Sequence, residues 1–265
     1  MSSHPFTITS TPGDGKEREL VFYIRPQGGF TKMLMAYAKD RSGEGVEVLV
    51  DGPYGGINLA KFQDAEHVLV IAGGSGAGWC LPFIERFVRR NMHREKKGDV
   101  EDTSQVEALR TVSMSIVLAT RDIASRMWFL SNVDKLLEKY KYSDVSGFRV
   151  QVYLTGTAAR NIDVSHVSSE TSSSPDTIDF ETKRASNQIG HVPGRECEGR
   201  PDLASIISEK ANEMTNAGQL LSVFVCGPTT MLNDARNAVA AENLRVVKGD
   251  GRAGVYLHSE HFSWA

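Results

Sequence analysis

The chain has little of what would tie it to nucleic acid, metal or the cell exterior. Its 30 basic and 33 acidic residues leave a net charge of −3, so no overall basic field attracts nucleic acid or an acidic membrane surface. Only three cysteines occur, Cys80, Cys197 and Cys226, and none stands in a C-x-x-C or Cys/His spacing, which argues against zinc and against a disulfide framework. A reducing compartment fits that usage. No apolar run approaches the roughly 20 residues needed to span a bilayer, and the polar start MSSHPF is no signal peptide. The chain as given is therefore expected to be soluble. Internal repeats are also missing. What 265 residues with 40% hydrophobic content do allow is one large core or two modest ones, and two unequal domains are expected.

The richest stretch is Val68 to Phe83, VLVIAGGSGAGWCLPF. Val68 to Ile71 is apolar on both faces and too short for a helix, as expected of a central parallel strand. Gly73, Gly74, Ser75, Gly76 and Gly78 follow at once, and a helix starts near Gly78. Glycines let the backbone take positive φ and let a phosphate approach, while the helix start offers unpaired N–H groups and a positive dipole end. The spacing from Gly74 is G-x-G-x-G rather than the dinucleotide fingerprint G-x-G-x-x-G, so a merely tight strand-to-helix turn stays open on this stretch alone.

Around it the chain alternates. Strands are expected at 67–72, 112–119, 148–155, 220–226 and 253–257, with helices at about 78–93, 125–141, 202–217 and 229–243, the pattern of a doubly wound parallel sheet. Before it come extended stretches at His4–Ser10, Glu19–Pro26 and Val46–Val50, and a helix at Phe30–Lys39 that begins behind Gly28-Gly29. Asp51-Gly52-Pro53-Tyr54-Gly55-Gly56 marks a turn and a domain boundary. Arg94–Arg110 is charged and reads as loose; Ala158–Arg200 is too polar to build a core and reads as a surface insertion.

Five separated pieces stand in order: HPFTITS, GGFTKML, DGPYGG, the glycine loop and VFVCGPTTML. Together they resemble the flavin-dependent ferric reductase and NADPH oxidase family, of the broader ferredoxin-NADP reductase type, and most closely the fungal ferric-chelate reductases. The resemblance implies a partial FAD-binding barrel over residues 1–56 and an NADP-binding domain over 57–265, with 158–200 as a flexible insertion. The implied fold is a doubly wound, parallel five-stranded nucleotide-binding sheet preceded by an incomplete antiparallel FAD-binding β-barrel. Strands that precede His4 in the family have no counterpart, nor does the haem-carrying membrane region. A truncated product, a partial gene record and a piece that completes its barrel with another chain are all open.

By the same resemblance, His4, Pro5, Phe6, Thr7 and Ser10 lie on the flavin, with Phe6 against the ring and the Thr7 hydroxyl at its edge. The bland alternative is simple alternation in a half-buried strand. Gly29 and Thr31 would hold the FAD pyrophosphate, and Gly73, Gly74, Ser75, Gly76 and Gly78 that of NADPH. Arg121 follows the second sheet strand, where a guanidinium favours a 2′-phosphate; Asp122 beside it leaves a surface Arg/Asp pair open. Arg200, in Gly199-Arg200-Pro201, approaches the nucleotide in the family. Cys226, Gly227 and Pro228 would stand at the nicotinamide, Cys226 not as a nucleophile, with a purely structural cysteine the alternative. Phe262 or Trp264 would cover the flavin. Trp79 reads as helix packing or nucleotide contact. His258 and His261 read as solvent-facing, and no metal site is expected.

The implied function is an NADPH-oxidising flavin reductase module. Hydride passes from NADPH to FAD, then single electrons pass to a haem-carrying membrane domain and to ferric iron, all outside this chain. An NADPH oxidase module with oxygen as acceptor, a non-catalytic NADP-binding fragment and a soluble reductase of the cytochrome b5 reductase kind are the alternatives. Within a full-length protein the chain would lie on the cytosolic face of a membrane.

Overall fold

The computed structural model describes residues 6–11, 19–97, 113–142, 147–156, 194–214, 218–250 and 253–261. His4, Pro5, Phe262, Trp264 and most of the expected 158–200 insertion lie outside the described residues. The elements in chain order are α1 (Gly29–Asp40), α2 (Leu59–Gln63), β1 (His67–Gly73), α3 (Ala77–Lys97), β2 (Ser113–Thr120), α4 (Ile123–Lys139), β3 (Phe148–Leu154), β4 (Gly194–Glu198), α5 (Leu203–Glu213), β5 (Leu220–Gly227), α6 (Thr229–Val247) and β6 (Gly254–His261).

The six strands form one parallel sheet in the order β4-β3-β2-β1-β5-β6. The centre is apolar on both faces because helices cover both. Along β1 the side chains alternate: Val68, Val70 and Ala72 enter one core, Leu69 and Ile71 the other. The first core takes Cys80, Leu81, Ile84, Phe87 and Val88 of α3 and Phe129, Val133 and Leu137 of α4, all at helical spacing. The second takes Leu203, Ile207 and Ala211 of α5 with Leu232, Ala235 and Val239 of α6. Phe62 of α2 is fully buried and meets Phe83 and Phe224 at ring distances of 6.0 and 6.2 Å.

Three expectations change. The sheet has six strands rather than five, because Gly194–Glu198, placed in the insertion by its polarity, pairs with β3 from Val150↔Gly194 to Leu154↔Glu198. It is an edge strand, and an edge needs no apolar alternation. The helix expected to stop at 93 runs to Lys97, into the stretch read as loose. Among the described residues Val46–Val50 forms no ladder: its four apolar residues are exposed, Leu49 at 91%. Branched side chains favour a strand only where a partner supplies hydrogen bonds and cover.

Before the sheet, the described residues show a short antiparallel ribbon joined by the bridge Ile8↔Phe22 and by Thr9 N–H to Val21 O at 2.8 Å. This ribbon docks on α3 and α4. The Thr9 methyl lies where a Cβ on Gly78 would come within 3.1 Å. Tyr23 meets Trp128 edge-on at 4.7 Å, and its hydroxyl donates to Asn132 Oδ1 at 2.9 Å. Glu85, buried on α3, accepts from Thr11 N–H (3.2 Å), the Thr11 hydroxyl (2.6 Å), Lys139 Nζ (3.2 Å) and the Tyr140 hydroxyl. Burial would raise its pKa, but the Thr11 and Tyr140 hydroxyls and Lys139 outweigh it and hold the carboxyl below the ordinary glutamate range.

Candidate cofactor site

Strand order fixes where a ligand can enter. From β1 the chain passes by α3 to β2 on one side, whereas β5 lies on the other side of β1 and continues outward to β6. The crevice between diverging connections is at the carboxyl ends of β1 and β5, where open α/β sheets bind ligands. Gly73 ends β1 and Gly227 ends β5. A Cβ on Gly73 would stand 2.7 Å from Pro228 Cδ, and one on Gly227 would stand 2.8 Å from Met231 Sδ and 3.2 Å from Gly73 N. These two glycines therefore let the strand ends and the start of α6 close on each other.

The turn itself is one 3₁₀ turn, Gly74–Gly76, running straight into α3. Gly74 has φ +58°, which disfavours a side chain. Gly74 and Ser75 are exposed, whereas Gly73, Gly76 and Gly78 are buried. Gly74 and Ser75 thus stand exposed at a helix start beside the crevice, and Gly78 serves the ribbon contact with Thr9. Trp79 packs edge-on against Phe83 at 4.7 Å.

Cys226 is buried beside Ala72 on one side and Glu260 on the other in the strand register. Burial, then the Glu260 carboxylate, pushes its thiol up to about 12, so it stays protonated at neutral pH. Cys80 is fully buried, and burial and its neighbour Cys226 raise its thiol also. Glu260 is a site residue that sequence reasoning missed. It bonds His258 Nε2 at 2.9 Å, and a Cβ on Gly55 would come within 3.8 Å of its Oε1, so the DGPYGG turn lies against it. His258 is accordingly not solvent-facing but half-buried and paired. The signal available in sequence was position alone, one residue before His261.

Further along the same edge, Arg121 follows β2 and is exposed. Asp122 does not pair with it. Asp122 caps α4, accepting from Ser125 N–H at 2.7 Å and the Ser125 hydroxyl at 3.0 Å, and its Oδ2 takes Arg25 at 3.3 Å. Burial raises its pKa, but Ser125 and Arg25 outweigh that and hold it low. Arg121 makes no ion pair among the described residues. Gly199, at φ +83°, donates its N–H to Leu154 O at 3.0 Å and delivers exposed Arg200 to the same edge, just ahead of α5 and its Asp202 cap.

On the flavin side, Phe6 is 39% exposed and Thr7 half-buried. The Ser10 hydroxyl is engaged within the ribbon, donating to Glu19 O (3.2 Å) and accepting from Val21 N–H (3.1 Å). Gly29 opens α1 at φ +48° behind the N-cap Gly28, which offers no capping side chain. The Thr31 hydroxyl braces that turn, accepting from Gln27 N–H at 3.1 Å and donating to Gly28 O at 3.0 Å. α1 buries none of its residues, so the structure brings together the crevice residues but not α1 with them. Among the described residues no cluster of three or more His, Cys, Asp or Glu could hold a metal, and no helix is long and apolar enough to cross a membrane.

The family model of the ferric reductase NAD binding domain matches residues 65–240, and that of an FAD-binding domain matches residues 1–58. The chain is 25% identical over 295 residues to the ferric/cupric reductase transmembrane component 7 of Saccharomyces cerevisiae, covering 100% of this chain and 41% of that protein. It is 26% identical over 244 residues to ferric reductase transmembrane component 6 of the same species, covering 91% of this chain and 29% of the relative. NADPH oxidase 1 of Mus musculus is 25% identical over 236 residues, covering 88% and 34%. The chain thus spans less than half the length of these curated relatives. A solved ferredoxin NADP+ reductase from Neisseria gonorrhoeae, with bound FAD and NADP, is similar at 13% identity and a TM-score of 0.48, over 97% of this chain and 78% of that one. The first match takes in strands β1 to β5 of the sheet and most of α6, and by it the chain belongs to the ferric reductase NAD binding domain family, with an FAD-binding domain ahead of it.

Proposed function

We propose that the chain is the nucleotide- and flavin-binding module of an NADPH-dependent ferric reductase, dividing near residue 57 into a flavin-binding part and an NADP-binding part. The observation that carries the choice of NADPH is Arg121: exposed at the carboxyl end of β2 and without an ion pair among the described residues, while Asp122 is held by Ser125 and Arg25. A free guanidinium fork matches a 2′-phosphate, and Arg200 on the same edge adds a second positive charge.

The residues present fit both cofactors. Gly74 and Ser75 would receive the NADPH pyrophosphate at the start of α3, and Gly28-Gly29 the FAD pyrophosphate at the start of α1. Phe6 offers an apolar face for the flavin ring, and Thr7 a hydroxyl at its edge. When bound, the two cofactors supply hydride transfer and the conversion of an electron pair into the single electrons that haem and ferric iron accept. At the nicotinamide position the Cys226 thiol keeps its proton and is no nucleophile. Glu260 sets a carboxylate beside that thiol. Phe262 and Trp264 are proposed to cover the flavin. The acceptor would be reached through a haem-carrying membrane domain; the yeast relatives are named transmembrane components.

Titration of NADPH and NADH against wild type and Arg121→Ala tests the reading. Loss of two charge-assisted bonds should weaken NADPH by roughly 5- to 150-fold and leave NADH within about 2-fold, with Arg121→Lys rescuing part. Equal small losses for both nucleotides would remove the 2′-phosphate assignment. Retained yellow colour after FAD addition, bleached by NADPH, separates the reductase from a non-catalytic nucleotide-binding chain.

A further inference from the structure

The carboxyl ends of β2 and β3 are fastened together by two successive residues, and the fastening fixes the peptide from which Arg121 departs. Thr155 donates both its N–H, at 2.8 Å, and its hydroxyl, at 3.2 Å, to the carbonyl of Thr120. Gly156 presses on the next carbonyl: a Cβ there would stand 2.4 Å from Arg121 O and 3.3 Å from Arg121 C. The obstacle is backbone, so an added methyl would force the Arg121 peptide to move. Gly156 is not among the glycines of positive φ, so no left-handed conformation demands a glycine. The close approach does. On the far side Asp122 is held by Ser125 at 2.7 Å, so the three residues 120–122 are gripped from both flanks.

We propose that Gly156, with Thr155, is a specificity-positioning element: it sets where the Arg121 guanidinium stands and so sets the preference for a nucleotide bearing a 2′-phosphate. This rests on the reading of Arg121 given above. A bidentate guanidinium–phosphate pair is directional, so a displaced Cα misaligns the fork even though the charge remains. The nicotinamide and pyrophosphate ends of the nucleotide meet other residues, which makes NADH, lacking the 2′-phosphate, the internal control.

The test is calorimetric titration of NADPH and of NADH against the full chain as wild type, Gly156→Ala, Thr155→Val, Arg121→Ala and the double variant Arg121→Ala/Gly156→Ala. Gly156→Ala should weaken NADPH roughly 10-fold with NADH within about 2-fold, since misplacement by an ångström is enough for losses of that order. Because Gly156 acts through Arg121, the double variant should bind NADPH within about 2-fold of Arg121→Ala alone. Thr155→Val deletes only the hydroxyl bond, and it decides the matter if Gly156→Ala does not fold. Its expected loss is roughly 2- to 3-fold, again confined to NADPH. Parallel losses for both nucleotides, or an additive loss in the double variant, would overturn the positioning role. Should Arg121→Ala itself leave the NADPH-to-NADH ratio unchanged, the 2′-phosphate reading fails and the inference falls with it. If Arg121→Ala collapses the ratio while Gly156→Ala and Thr155→Val do not, only the positioning role is lost.

Discussion

Asp122 Oδ2 lies 3.3 Å from Arg25 Nη2, and this pairing joins the flavin-side ribbon to the cap of α4 while its chain neighbour Arg121 stays free of ion pairs among the described residues. Both partners are partly exposed, at 57% and 36%, so the pair itself contributes below about 1 kcal/mol. Its value lies in what it prevents.

Asp122→Asn keeps an N-cap acceptor of equal quality and removes the negative charge beside Arg121. Stability should stay within about 1 kcal/mol, and NADPH should bind about 2- to 3-fold tighter at low salt, the gain shrinking as salt screens it. Asp122→Ala loses the cap as well and should lower stability by about 1 kcal/mol in denaturant titration. Weaker NADPH binding by Asp122→Asn would contradict the arrangement.

Glu85 anchors the ribbon to α3 and α4 through four donors, two of them from Thr11. Glu85→Gln should destabilise the chain by about 1.5 to 3 kcal/mol at neutral pH and speed amide exchange at Thr9 and Thr11. Its folded-state pKa is lowered, so the carboxylate's contribution is complete above the ordinary glutamate pKa and is lost as pH falls through the lower folded value. The acid-side loss of stability in wild type should therefore be reduced in Glu85→Gln, as measured by denaturation at pH 7 and at successively lower pH.

His67, at the start of β1, is buried with Nδ1 against the Ser113 hydroxyl and, among the described residues, no partner on Nε2. Burial first, then Lys210 and Arg149, push its pKa down to about 3. The unfolded chain takes up a proton near pH 6.5 and the folded chain does not, so stability falls as pH drops from about 6.5 toward about 3. His67→Leu should flatten that slope by up to about 1.4 kcal/mol per pH unit. An unchanged slope would place the proton uptake elsewhere.

Thiol labelling offers an independent check on Cys226. Cys197 on β4 is partly exposed, whereas Cys80 and Cys226 are buried with raised pKa values. A neutral maleimide at pH 7 should label Cys197 in the native chain, and Cys80 and Cys226 only on unfolding. Rapid native labelling of Cys226 would refute a buried, protonated thiol.

The sheet's centre was legible because β1, β2 and β5 are buried on both faces, and a short apolar run between turn residues has few other places to go. β4 was not, since GRECE carries no periodicity and becomes a strand only by pairing with β3. Val46–Val50 shows the converse: a strand pattern without a partner remains unpaired. In the site, the glycine turn and the position of Arg121 could be read from spacing. That Arg25 and not Arg121 would hold Asp122, or that Thr11 and Tyr140 would converge on Glu85, could not, because contacts between charged residues far apart in sequence leave no local pattern. Gly156 likewise gave no signal, as its reason is the carbonyl of another strand.

β1 lies between β2 and β5, and the rung from Leu220 N–H to the Glu66 carboxylate beside it spans 154 residues. On a ribosome adding about 5 to 20 residues per second, one edge of a strand that is buried along its whole length waits roughly 8 to 30 seconds for its neighbour to be made. During synthesis the nascent chain is thus a sheet with an open sticky border, and a chaperone that shields β1 until residue 227 emerges would decide how much of it reaches the native state.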